Sequence, residues 1–174
     1  MRITCEATKP FVRAALKEVI EKQINFQKDC VEIKKALRGQ RSSVQADWLN
    51  KKGEKFIVAS KTESLEFNKA ALHLGATIII KENKKGQIQI FTQKQHRVNI
   101  ARIAAKIRAD EYLVRNSKEF FGDPKRLFED GTIDEVPIWH LFEQGGMLLN
   151  GSLTTPDQTP TALSLRRIVE LIIE

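Results

Sequence analysis

Apolar residues in this chain recur with two periods, and the sequence switches between them several times. In "PFVRAALKEVIEKQI", Phe11, Ala15 and Val19 share one side, with Val12, Leu16 and Ile20 beside them. That spacing predicts a helix with a wide apolar face, and Pro10 suits its first turn. "DCVEIKKALRG" predicts a second, shorter helix, with Asp29 placed to cap it and Gly39 to end it. Its Cys30, Val31 and Ile33 also fit a strand. At the start of the chain, "MRITCEA" alternates Ile3 and Cys5 with polar neighbours and predicts a short strand.

Further along, "RSSVQADWLNKKG" predicts a short helix and "KFIVAS" a strand. "TESLEFNKAALHLG" predicts a helix that starts near Thr62 and is closed by Gly75. "ATIIIKENKKGQIQIFTQ" gives two strands about a polar turn, a hairpin over residues 76–93. In "RVNIARIAAKIRADEYLV", Ile100, Ile103, Ala104 and Ile107 form a helical stripe, and Glu111 recurs at the same spacing. Beyond Asn116 the chain mixes aromatics, acids and Gly/Pro stops, and short helices and turns are expected. "LSLRRIVELIIE" predicts a final helix capped by Ser164. The order predicts an α/β fold, with α+β as the alternative: a small mixed sheet including the hairpin, flanked by helices.

The 174 residues fit a single domain, and an apolar share of 41% can fill a core. No apolar run reaches the roughly 18–20 residues of a membrane span. The N-terminus lacks the apolar run of a secretory signal, so a cytoplasmic protein with no membrane partner is expected. Cys5 and Cys30 stand far apart, without a CxxC pair, and are read as reduced thiols.

Charge changes the picture more. The net +7 is uneven: residues 1–108 carry 23 Lys and Arg against 10 Asp and Glu, whereas residues 109–174 are net acidic. A basic part and an acidic, loop-rich part are expected, the first facing a polyanion and the second available to a protein partner. The basic residues concentrate around the hairpin and the helix after it. Lys81, Lys84, Lys85, Lys94, Arg97, Arg102, Lys106 and Arg108 form the candidate nucleic-acid-binding set. No helix-turn-helix, zinc finger or RNP motif accompanies them.

Two other constellations carry candidate chemistry. "GGMLLNGSLTTPDQTPT", residues 145–161, holds three glycines and four threonines. Gly145, Gly146, Asn150 and Gly151 permit positive φ and close backbone approach, and Ser152, Thr154 and Thr155 add hydroxyls. Such a turn can cradle an anion, so these seven are the candidate ligand-binding residues. Asp130, Asp134 and His140 lie within eleven residues, beside Glu135 and Trp139. They are the candidates for acid–base catalysis or for holding a divalent metal, should the protein be an enzyme. His73 and His96 show no ligand partners in sequence, and no metal site is assigned.

The stretch "GATIIIKENKKGQIQIFTQKQHRVNIARIAAKI" resembles the accessory C-terminal domain of DHH-type phosphoesterases, DHHA1. Gly75-Ala76 stands where that domain's Gly-Ala opens a strand, and "VNIARIA", residues 98–104, stands for its helix motif. The resemblance implies a module that grips the nucleotide or phosphate groups of a substrate. It covers about a fifth of the chain. The family's glycine-rich loop with its histidine has "GGMLLNG" as its only counterpart, some forty residues late, with Met147 in the histidine's place. The Asp-His-His triplet and metal-binding aspartates of the catalytic domain are absent from the sequence. The first expectation for function is a phosphate-ligand-binding accessory protein, with nucleic acid as the leading ligand. The alternatives are a metal-dependent phosphoesterase or nucleotide-processing enzyme, and a subunit of a protein assembly.

Overall fold

The computed structural model describes residues 9–39, 57–93, 95, 97–152 and 155–174. The strand expected in "MRITCEA" and the helix expected in "RSSVQADWLNKKG" lie outside the described residues, as do Cys5, Lys94, His96 and Thr154. The chain, read as one domain from its sequence, divides into two compact units. One comprises residues 1–41 and 64–74, the other residues 42–63 and 75–174.

The first unit is built on α1, Lys9–Gly39, one continuous helix of 31 residues. The two helices expected here are joined because no glycine or proline interrupts the chain between Pro10 and Gly39. Asp29 does not cap a helix start. It is buried, and its carboxylate accepts from the Ser64 hydroxyl at 2.5 Å. The short α2, Phe67–His73, packs on α1 through an edge-to-face contact of Phe26 with His73, while Lys69 lies over the Phe26 ring. Gly75 follows α2 at φ +89, the left-handed conformation expected just past a helix end.

The second unit holds a mixed six-stranded sheet, with strands β1 Ile57–Lys61, β2 Ile78–Glu82, β3 Ile88–Thr92, β4 Gly131–Ile133, β5 Val136–Phe142 and β6 Met147–Leu149. Their order across the sheet is β1-β2-β3-β6-β5-β4. β1 and β2, linked through α2, are parallel, and every other pair is antiparallel. Two helices complete the unit, α3, Ile100–Asn116, and α4, Leu165–Ile173. The expected N-cap of α4 is in place, since Ser164 accepts from the Arg167 amide. On α3 Asn99 does the same for Arg102. One sheet face carries Ile78, Ile80, Ile88, Ile90, Leu141 and Leu148. These join Ile103 and Ile107 of α3 and Ile168 and Ile172 of α4 in one buried core. Arg167 grips Asp110 with two bonds of 2.9 Å, fastening α4 to α3.

The C-terminal region differs most from the turns and short helices expected. Only Pro124–Phe128 is helical there, as a 3-10 turn, and three strands surround it in sequence. Pro137 disguises β5. It lies where the β4–β5 register shifts, beyond Thr132, and such an irregularity tolerates a residue without an N–H.

Candidate binding cleft on the open sheet face

Cross-strand pairing sets which side chains share the sheet face turned away from α3. Thr132, His140, Leu149, Gln89 and Lys81 stand in one row. Phe142, Met147, Phe91 and Ile79 form the next. Exposure rises across these rows. Ile79 is buried, Phe91 and Met147 are half-buried, and Phe142 is 40% exposed. Leu149 is half-buried, and His140 and Thr132 are exposed. The β5 half of this face is therefore open, and it presents two rings.

Each ring is held. The Nδ1 atom of His140 lies 2.9 Å from the Thr132 hydroxyl on the paired strand. The Phe142 ring covers the turn that leads into β6, where a Cβ at Gly145 would come within 2.2 Å of it. Gly145 is required by this approach rather than by a ligand. Gly146, at φ +67, completes the turn, and its carbonyl accepts from the Thr92 amide at 2.8 Å. These two glycines of the ligand-binding set form a hairpin turn clasped by β3.

Beyond β6 the chain rises as the wall of a cleft of about 310 Å³. Ile138, His140, Phe142 and Leu149 are on its floor, and Gly151, Ser152, Thr155 and Gln158 on its wall. The wall has its own scaffold. Asn150 is fully buried and ties three strands of chain together. Its Nδ2 donates to the carbonyls of Ile138 and Thr159 at 2.9 and 2.8 Å, and its Oδ1 accepts from the Thr161 amide at 2.9 Å. Gln87, also buried, donates through Nε2 to the carbonyls of Pro156 and Gln158 at 3.1 and 2.7 Å. The Asn83 amide donates to its Oε1 at 2.8 Å. Ser152 and Thr155 close a small turn, their hydroxyl oxygens 3.0 Å apart. Of the ligand-binding set, Gly151, Ser152 and Thr155 thus line the cleft, whereas Asn150 is a buried clamp beneath it.

The three catalytic candidates do not converge. Asp130 accepts from the Glu143 amide at 2.7 Å, steadying the β5–β6 turn. Asp134 lies in the β4–β5 turn, 3.9 Å from Arg126. The two acids flank the length of β4, on the order of 13 Å of extended chain. His140 alone reaches the cleft. No group of three His, Cys, Asp or Glu able to hold a metal occurs among the described residues.

The basic set is dispersed as well. Arg108, expected on an exposed helix face, is entirely buried. Its guanidinium donates to the carbonyls of Leu127, Glu129, Gly131 and Trp139 at 2.6–3.3 Å, pinning the β4 approach to α3. Burial pushes its pKa down, and the charges of Glu129 and Asp130 act against that. Lys106 donates to the Leu171 carbonyl in the last turn of α4. Lys85 donates to the Pro156 carbonyl at 2.9 Å and so braces the cleft wall. Lys84 remains exposed beside it in the β2–β3 turn, and Arg97 and Arg102 are exposed at the other end of the hairpin. Lys81 is half-buried on the open face, in the row of His140.

Glu111 was visible only as an acid at an apolar helical position. It is fully buried. It accepts from Arg115 at 2.6 Å, from the Trp139 indole at 3.3 Å, from the Ala162 amide at 2.9 Å and from the Thr161 hydroxyl. It anchors the far end of the cleft wall to α3.

Comparison with known proteins finds no matching family model, no matching curated protein and no matching solved structure. No helix among the described residues is long and apolar enough to cross a membrane.

Proposed function

We propose that this protein is a nucleic-acid-binding accessory module that receives unpaired bases in the cleft between β5–β6 and residues 151–158. The observation that carries this reading is the convergence of His140 and Phe142 with Ser152, Thr155 and Gln158 on one cleft. Two rings offer stacking surfaces, and base–aromatic stacking tolerates any base. Hydroxyl and amide groups on the wall suit the polar edges of a base or the oxygens of its phosphate. No carboxylate is among the residues lining the cleft, so a polyanion meets no repulsion there. Lys81, in the row of His140, and Arg97 and Arg102 at the hairpin end supply attraction along the approach, within a chain of net charge +7. The strand, turn, strand and helix over residues 76–116 follow the order that the DHHA1 resemblance implies, which supports a ligand-gripping role.

Fluorescence anisotropy with labelled single-stranded and duplex oligonucleotides across a salt series tests the reading. Unpaired strands are expected to bind more tightly than duplexes of equal length, with affinity falling as salt rises. Absence of binding to either at low salt overturns it.

A further inference from the structure

α1 is about 46 Å long at 1.5 Å per residue, far longer than the seven-residue α2 that packs on it. Every side chain of residues 13–25 is exposed. Among them Leu16, Val19 and Ile20 are 56%, 62% and 57% exposed, and Ile24 and Val31 about half. At 100° per residue, Leu16, Ile20, Ile24 and Val31 fall on one stripe, with Val19 at its edge. This stripe lies roughly a quarter-turn away from Phe26 and Cys30, the α2-facing side. An exposed helix gains little stability on its own, and apolar stripes of this kind stabilise helices by being covered.

We propose that a second copy of this chain covers the stripe, with the two α1 helices antiparallel about a two-fold axis near Ile20. The pattern is self-complementary in that arrangement. Leu16 and Ile24 stand four residues to either side of Ile20, so each meets the other across the axis while Ile20 meets its own copy. Lys17 and Glu21 border the same side of the stripe, both exposed and 3.9 Å apart. Because they straddle the axis, the two-fold brings Lys17 of each copy toward Glu21 of the other, where a parallel pairing would stack like on like. Isologous contacts of this kind close on themselves as a dimer. A shallow hollow of about 480 Å³ beside Ile24, Gln27 and Val31 takes the Leu16 end of the second copy. The interface lies toward the low end for specific complexes, roughly 1,000 Å² in total, so the dimer dissociates in the micromolar range.

Sedimentation equilibrium of the full chain across a concentration series tests this. The expected result is a reversible monomer–dimer equilibrium that Ile20→Glu abolishes with unchanged helical circular dichroism. Lys17→Glu alone weakens the dimer several-fold, and Lys17→Glu combined with Glu21→Lys restores it. A monomer at all concentrations overturns the proposal, as does a dimer that survives Ile20→Glu. Failure of the double charge reversal to restore association overturns the antiparallel arrangement. None of these outcomes depends on nucleic-acid binding.

Discussion

The side-chain amide of Gln87 occupies the space where a side chain on Gly151 would begin. A Cβ at Gly151 would lie 2.6 Å from Gln87 Cδ and within 2.8 Å of both amide heteroatoms. Gly151 also holds φ at +82, a conformation that glycine alone adopts without strain. This contact lets Gln87 reach the carbonyls of Pro156 and Gln158 and so fix the cleft wall.

Gly151→Ala therefore meets both a clash and a strained backbone. The expected loss is about 2–4 kcal/mol, the sum of modest overpacking and left-handed strain. Urea unfolding monitored by circular dichroism measures it. Gly75→Ala provides the comparison, since it shares the positive φ, at +89, but has nothing within 4 Å of the added carbon. It is expected to cost about 1 kcal/mol.

Glu111→Gln keeps the size of the side chain but places an NH₂ group among four donors. Removing the charge and setting donor against donor is expected to destabilise by roughly 2–3 kcal/mol, because hydrogen bonds to charged groups are the stronger kind. The effect should be local first. Hydrogen exchange at the amide of Ala162, which donates to Glu111, should accelerate more than exchange in β2 and β3.

Arg108→Met preserves most of the apolar volume and strips the donors from four carbonyls. A loss of about 3–5 kcal/mol is expected, as for breaking other buried charged networks. Arg108→Lys should recover only part of it, since a single ammonium cannot span four acceptors arranged for a fork. Thermal unfolding of the three proteins checks the order. Oligonucleotide affinity of Arg108→Lys at a temperature where it is folded should match the parent, because the guanidinium faces the interior.

Arg108 also marks where sequence patterning stops being informative. The stripe of Ile100, Ile103, Ala104 and Ile107 identified α3 and the face it buries. Arg108 and Glu111 lie on the same buried side, and a charged residue at an apolar position can be a sign of either a misread period or a satisfied interior charge. Only the partners decide, and here they come from Leu127, Gly131, Trp139 and Thr161, far along the chain. The hairpin was legible because its turn chemistry and its two runs of β-branched residues are contiguous. β5 was not, because Pro137 breaks its alternation and its partners are three-residue strands. The Gly/Thr stretch was legible as unusual, but it serves three purposes in succession: a hairpin turn at Gly145 and Gly146, a strand at Met147–Leu149, and a cleft wall from Gly151. Composition cannot separate these.

Acid should loosen α1 through Glu18. The Lys22 ammonium, hydrogen-bonded to Glu18 at 2.6 Å, holds that carboxyl below its ordinary pKa. A carboxyl lowered in the folded state contributes stability above its unfolded pKa and loses it as pH falls through the folded value. Both groups are exposed, so the contribution is small and screened by salt. Helical circular dichroism is expected to decline below the usual carboxylate range, and Glu18→Gln should remove part of that decline at low ionic strength.

The reading of the cleft rests on its rings, and Phe142→Ala tests it most directly. Anisotropy of a labelled single-stranded oligonucleotide should be followed with the parent protein and this variant at fixed salt, with circular dichroism confirming the fold of each. Loss of one stacking platform, roughly 1–3 kcal/mol per base, predicts about a tenfold weaker affinity, while the slope of affinity against salt stays the same. Equal affinity of the two folded proteins would contradict the assignment of the cleft as the base-binding site.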